Sequence, residues 1–353
     1  MPNTSILSWA VFKVIGDMGS SMDVDSEAIL GWTRVAVLVL CMGWAAWFDH
    51  KERRVANEHW IVWSKPILFI WTLDLLIQNP HWSVWLTASA LVAYASGSVL
   101  GRPTIRDAQQ GNRMDQVVFV WYFVSIVGLL AAALRFSTVH PLDVLVGDAS
   151  SEATLWWSYI GALFTLFVID LAWRLRFIHG GADAKALMWV TLLFPSWEEV
   201  PVLSTESMDE IVLHLPPSLG LLIWGGFLFI LIPLILLIRN IITGSIRSFS
   251  DLSMAWMALS IPLASVHGRH VWILSDTMVL PSGETVVHHQ RRAPRRTPSE
   301  EELMEQIRRL EELETERIWV SLKLPLLLFL FPAILPLLMI GDPMATLLPL
   351  LLP

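Results

Sequence analysis

Two aspartates stand in runs whose neighbours are themselves chemically active. Asp49 lies in Phe48-Asp49-His50-Lys51-Glu52-Arg53-Arg54-Val55-Ala56-Asn57, and Asp183 in Gly180-Gly181-Ala182-Asp183-Ala184-Lys185-Ala186-Leu187. Carboxylates do general acid–base work. Two held within about 3–5 Å share a proton, so one accepts a proton while the other donates. The residues alone permit two readings of each. Asp183 caps a helix N-terminus, where the dipole favours a negative charge, or it is held there for chemistry; Asp49 faces solvent beside Lys51 and Arg53, or it is turned inward. The glycines ahead of Asp183 let other backbone come close. Other candidates read as structural. Asp74 and Asp170 lie within apolar stretches, Asp170 with Arg174 one turn later. His267, His270, His288 and His289 have no acid or cysteine at ligand spacing, so they read as surface histidines and no metal is expected. The single cysteine, Cys41, excludes a disulfide framework and any CxxC site.

The elements that must position these residues are membrane helices. Of 353 residues, 54% are hydrophobic and only 16% charged, with a mean hydropathy of +0.56 and 19 Trp. Soluble domains carry about 25% charged residues. That excludes a plain cytoplasmic or secreted enzyme. Eight apolar segments read as spans, at 31–48, 61–78, 82–100, 116–134, 155–173, 182–194, 218–237 and 319–340. Trp32, Trp47, Trp60, Trp63, Trp82, Trp156, Trp157 and Trp319 sit near their ends, as indoles do at the headgroup layer. The expected fold is an all-α polytopic membrane helix bundle. Residues 1–237 form the bundle with both aspartate runs, 238–318 a cytoplasmic insert, and 319–353 a final span and tail. The first 28 residues lack a secretory signal pattern, and 5–15 reads as an interfacial segment.

Charge sets the expected orientation. With the N-terminus outside, the inner stretches hold Lys51, Arg53 and Arg54, then Arg102, Arg106 and Arg113, then Arg174 and Arg176, and ten arginines from Arg239 to Arg317. The outer stretches hold only Lys13 and Arg135, alongside Asp143, Asp148, Glu152, Glu198, Glu199, Asp209 and Glu210. That asymmetry obeys the positive-inside rule. It puts Asp49 and Asp183, 134 residues apart, at one depth on the cytoplasmic side. The span at 182–194 is short, but without it the arginine-rich insert would face outward.

Within the insert, 252–264 reads as an interfacial or packed helix and 283–296 as an exposed basic loop. Thr297, Pro298 and Glu300 read as a helix start, with Leu303, Ile307, Leu310 and Leu313 following at helical spacing. This helix is expected to run into the span at Trp319.

The Asp-x-x-x-Arg-x-Val-x-Asn run at 49–57 and the Gly-Gly-Ala-Asp-x-Lys run at 180–185 resemble the two signatures of archaeal prepilin and preflagellin (prearchaellin) peptidases, within the GxGD class of intramembrane aspartic proteases. The resemblance implies that Asp49 and Asp183 are the catalytic pair, with Arg53, Val55, Asn57, Gly180, Gly181 and Lys185 in the supporting pattern. It covers about 15 residues. Ala182 stands where the GxGD pattern has its second glycine, and Ala56 where many members have proline.

The implied activity is removal of the short basic leader from type IV pilin-like or archaellin-like precursors, in the plasma membrane, with the active site facing the cytoplasm. The ionised aspartate would activate water while the protonated one donates to the scissile carbonyl oxygen. The implied partners are those precursors and the lipid bilayer; neither a cofactor nor nucleic acid is expected. Two other classes stay open: a signal-peptide-peptidase or presenilin-like protease, for which Lys323-Leu324-Pro325 would line the site, and a non-enzymatic transporter using the acids as ion sites.

Overall fold

The computed structural model describes residues 26–201, 215–246, 248–266, 269–292, 294, 296 and 298–346. The expectations at 5–15, Lys13, Asp209, Glu210, Arg247, His267, Arg295 and Thr297 lie outside the described residues. In chain order the elements are α1 (Ser26–Glu52), α2 (Asn57–Gln78), α3 (Trp82–Ser96), α4 (Ile105–Gln109), α5 (Arg113–Arg135), α6 (Pro141–Val146), α7 (Ser151–Arg174), α8 (Gly181–Leu193), a 3-10 turn at Trp197–Glu199, α9 (Pro217–Ile230) and α10 (Ile232–Ile242). Then come α11 (Phe249–Ala255), β1 (Leu259–Pro262), β2 (Val271–Ile273), β3 (Ser275–Val279), β4 (Thr285–His289), α12 (Glu300–Glu312), β5 (Arg317–Leu322), α13 (Leu327–Leu330) and α14 (Ile334–Met339). They form two compact units, one running through Gly225 and resuming at Leu326, the other spanning Gly226–Pro325.

The fold is mostly helical. Among the described residues five stretches are long and apolar enough to cross a membrane: those of α1, α2, α5 and α7, and Pro217–Ile242, which joins α9 to α10. The segments at 82–100 and 182–194 form the shorter α3 and α8, of 15 and 13 residues. In the first unit α8 is the axis, with every residue from Ala186 to Leu193 buried. Burial on every side means that protein, not water or lipid, surrounds this stretch. It has α1, α2, α3 and α7 against it. Small residues let the outer helices close up. A Cβ on Gly128 of α5 would lie 2.0 Å from the Leu86 Cβ of α3, and beside it Ser89 and Ser125 hydroxyls meet at 3.0 Å. Trp121 Nε1 donates to the same Ser89 oxygen at 2.8 Å.

The second unit is not all helical, which departs from the all-α expectation. An antiparallel sheet of order β1-β5-β2 pairs Ile261 with Ile318 and Ile273 with Val320, and β3-β4 form a separate hairpin. Its core gathers Leu259, Ile261, Leu263, Ile273, Ile307, Leu310, Ile318 and Val320. Buried Asn240 of α10 ties helix to sheet: its Nδ2 donates to the Ala255 and Ala258 carbonyls at 3.1 and 2.8 Å, and its Oδ1 accepts from Ser260 N at 3.3 Å.

Four local expectations change here. The apolar stretch 252–264 is helix only to Ala255 and then strand β1. The expected basic loop at 283–296 begins as strand β4, whose Thr285, Val286 and Val287 are β-branched. The helix starts two residues later than expected, where Ser299 caps Glu302 N and Glu302 returns the bond to Ser299 N. It also stops short of Trp319. Glu314 turns left-handed (φ 51°) and the chain re-enters as β5, so 319–340 opens as a strand and becomes helical only at Leu327.

Candidate active site

The end of α1, the start of α8 and the start of α13 converge within the first unit, and α13 touches both other helices. Asp49, in the last turn of α1, is buried, at 7% exposure. Asp183, in the first turn of α8, lies within reach of the Asp49 charge, and the backbone N–H of Leu327 lies against its carboxylate. Its Oδ1 is buried with no hydrogen-bond partner among the described residues. A carboxylate serving only as a cap would be spending that oxygen on a helix N–H. A buried charged oxygen left unsatisfied is costly, and such costs concentrate where function needs them.

Gly180 explains how Asp183 fits. A Cβ there would stand 2.1 Å from Asp183 Oδ2 and 2.8 Å from its Cγ. The carboxylate therefore folds back over the glycine, whose backbone (φ −86°, ψ 122°) any residue could adopt. Space demands glycine here, not dihedral freedom. Gly181 is tight as well, its would-be Cβ 3.2 Å from the Trp173 ring. Ala182 is half-buried at its position.

The other residues of the two runs meet, though not as a continuous helix. A helix continued through residue 57 would put Asp49, Arg53 and Asn57 on one face, but α1 ends at Glu52 and Arg53 takes a left-handed backbone (φ 57°), its N–H donating to the Asp49 carbonyl at 3.1 Å. The guanidinium still acts on Asp49 through its charge, and its Nε is buried without a partner. Arg54 is exposed. Asn57 opens α2 and crosses to the second run: it accepts from Lys185 Nζ at 2.7 Å and donates to the Val99 carbonyl at 2.9 Å. Lys185 also stands over the Trp173 ring, 5.8 Å from its centroid. One bond thus links the two motifs, from residues 128 apart in sequence.

The remaining acids are committed elsewhere. Asp74 accepts from Arg34 Nη2 at 2.6 Å, and Arg34 Nη1 stands 4.0 Å from Glu199 Oε1. Ser196 N and Oγ hold the second Glu199 oxygen at 2.7 and 2.9 Å, and burial pushes Glu199 up to about 7 against the pull of Arg34. Asp170 bonds Tyr94, Arg102 and Arg174. Among the described residues no group of three or more His, Cys, Asp or Glu is arranged to hold a metal. His289 Nδ1 instead meets Ser275 Oγ at 3.0 Å.

Leu327 is the site residue that reading the sequence missed. The signal was nearby: Lys323-Leu324-Pro325 marked the right stretch, but the contact is made by a backbone amide, which side-chain patterns do not reveal. Lys323 itself stacks on Trp272 at 3.8 Å. Compared with models of known protein families and with curated proteins, the chain finds no match.

Proposed function

We propose that this protein is a membrane-embedded aspartic endopeptidase that removes the short basic leader of type IV pilin-like or archaellin-like precursors at the cytoplasmic border of the plasma membrane. The observation that carries this reading is the convergence of Asp49, which is buried, and Asp183, which is half-buried, within reach of each other's charge at the adjoining ends of α1 and α8. One carboxylate takes a proton from water as the water oxygen attacks the scissile carbonyl carbon. The other carboxyl gives its proton to the developing oxyanion, and collapse of the tetrahedral intermediate breaks the C–N bond as the leaving nitrogen is protonated. The roles belong to the pair rather than to either member. The bond from Lys185 to Asn57 fixes the start of α8 against α2 and so the aim of Asp183.

The topology behind this reading is eight spans with the N-terminus outside and residues 238–318 in the cytoplasm. It is supported by five stretches of spanning length among the described residues and by the arginine bias of the inner stretches. A precursor whose apolar segment lies in the bilayer presents its leader junction at that depth. A presenilin-like protease is the second reading, favoured by the Leu327 amide against Asp183 just past Pro325. The test is co-expression with a prepilin or prearchaellin. Wild type should shorten the precursor, while Asp49→Asn and Asp183→Asn should leave it intact at equal membrane levels. Cleavage by either variant at near wild-type rate removes that residue from the mechanism.

A further inference from the structure

At the same end of the first unit, a second polar cluster carries more positive charge than its carboxylate can use. Asp170, on α7 and 7% exposed, receives three donors on one oxygen, Oδ2. These are Tyr94 OH at 3.0 Å, Arg102 Nη2 at 2.8 Å and Arg174 Nε at 2.9 Å. Two guanidiniums against one carboxylate leave a net positive charge. Each guanidinium is a planar fork with several N–H donors, and each spends one of them on Asp170 Oδ2. Both side chains are open, at 57% and 54% exposure. They border a cavity of about 180 Å³ whose other walls are Gly97, Ser98, Trp173 and Met188.

We propose that Arg102 and Arg174 form a phosphate site that the headgroup of an anionic lipid fills. Forked donors match phosphate oxygens better than any other biological anion except carboxylate. A structural ion pair would need one arginine, and Arg174 already supplies it from one turn along α7. Arg102 comes from beyond the end of α3 to add a second. The depth is right for a headgroup, because α7 is long enough to cross a membrane and Arg174 is its last residue. Trp173 gives the site a route to α8. The same ring that walls the cavity packs on Gly181 and carries Lys185. The inference rests on the membrane placement of α7 and is independent of any proteolytic activity.

The experiment uses the full chain, delipidated in detergent and titrated with dioleoyl phosphatidylglycerol or dioleoyl phosphatidylcholine while native mass spectrometry counts bound lipid. The expected result is saturable binding of one phosphatidylglycerol per chain, with phosphatidylcholine clearly weaker. At about 1 kcal/mol per arginine, Arg102→Gln with Arg174→Gln should weaken phosphatidylglycerol about 30-fold, and each single change about fivefold. Asp170→Asn keeps both forks and removes the competing carboxylate, so it should bind at least as tightly as wild type. A cluster that is only a structural lock predicts the opposite, no dependence of lipid binding on any of the three residues. Unchanged binding in the single and double arginine variants overturns the proposal, as does equal binding of the two lipids. Displacement by millimolar inorganic phosphate also overturns it, assigning the site to a free anion.

Discussion

At the scale of single residues, the Asp183 carboxylate is held by what its neighbours lack. Gly180 has no Cβ, and that absence is the space Asp183 Oδ2 occupies. Gly180→Ala should therefore leave the helices intact but swing the carboxylate away from Asp49. A displacement of about 1 Å in a catalytic group costs on the order of a hundredfold in rate, so precursor cleavage should fall by about that factor with little change in the unfolding midpoint. Equal losses of activity and stability would instead make Gly180 a packing residue. A second residue-scale prediction concerns Glu199, away from the pair. Its carboxyl is raised from an ordinary 4.5 to about 7, chiefly by burial, so the fold favours its protonated form. That contribution to stability is complete below about 4.5 and is lost as pH rises through about 7. The thermal midpoint in detergent should fall between about pH 5 and about pH 8, and Glu199→Gln should flatten that slope. An unchanged slope in the variant would place the titration elsewhere.

At the scale of elements, close helix approach is the feature most open to test. The would-be Cβ of Gly128 sits 2.0 Å from Leu86, whereas that of Gly161 meets nothing within 4 Å. Gly128→Ala should push α3 and α5 apart and destabilise by roughly 1–3 kcal/mol, while Gly161→Ala should be neutral or stabilising. Thermal unfolding of the two variants side by side decides it. Elements were legible in the sequence where apolar runs were long. The stretches of α1, α2, α5 and α7 came out within a few residues, because some 20 apolar residues admit few other readings. The strands did not. Arg317–Leu322 is six residues fused to an apolar tail, and short apolar runs do not separate strand from helix by periodicity. The runs around the two aspartates were legible because both are local, and the proximity of the two followed from the expected topology. The left-handed Arg53 was not legible, since an arginine carries no side-chain signal for that backbone region. Nor was the Leu327 amide, because backbone donors leave no mark on composition.

At the scale of the whole molecule, the account is one of convergence. A buried central helix, α8, brings Asp183 to the end of α1, and the chain returns after a 100-residue second unit to bring Leu327 to the same point. If Asp49 and Asp183 act as one device, removing either is equivalent to removing both, because catalytic residues that work as a unit are strongly non-additive. The measurement is leader cleavage by the purified protein in lipid nanodiscs, comparing wild type, Asp49→Asn, Asp183→Asn and the double variant. The account predicts that each single change abolishes turnover to the same residual level and that the double change lowers it no further. Losses that multiply in the double variant, or substantial turnover in either single one, would contradict it.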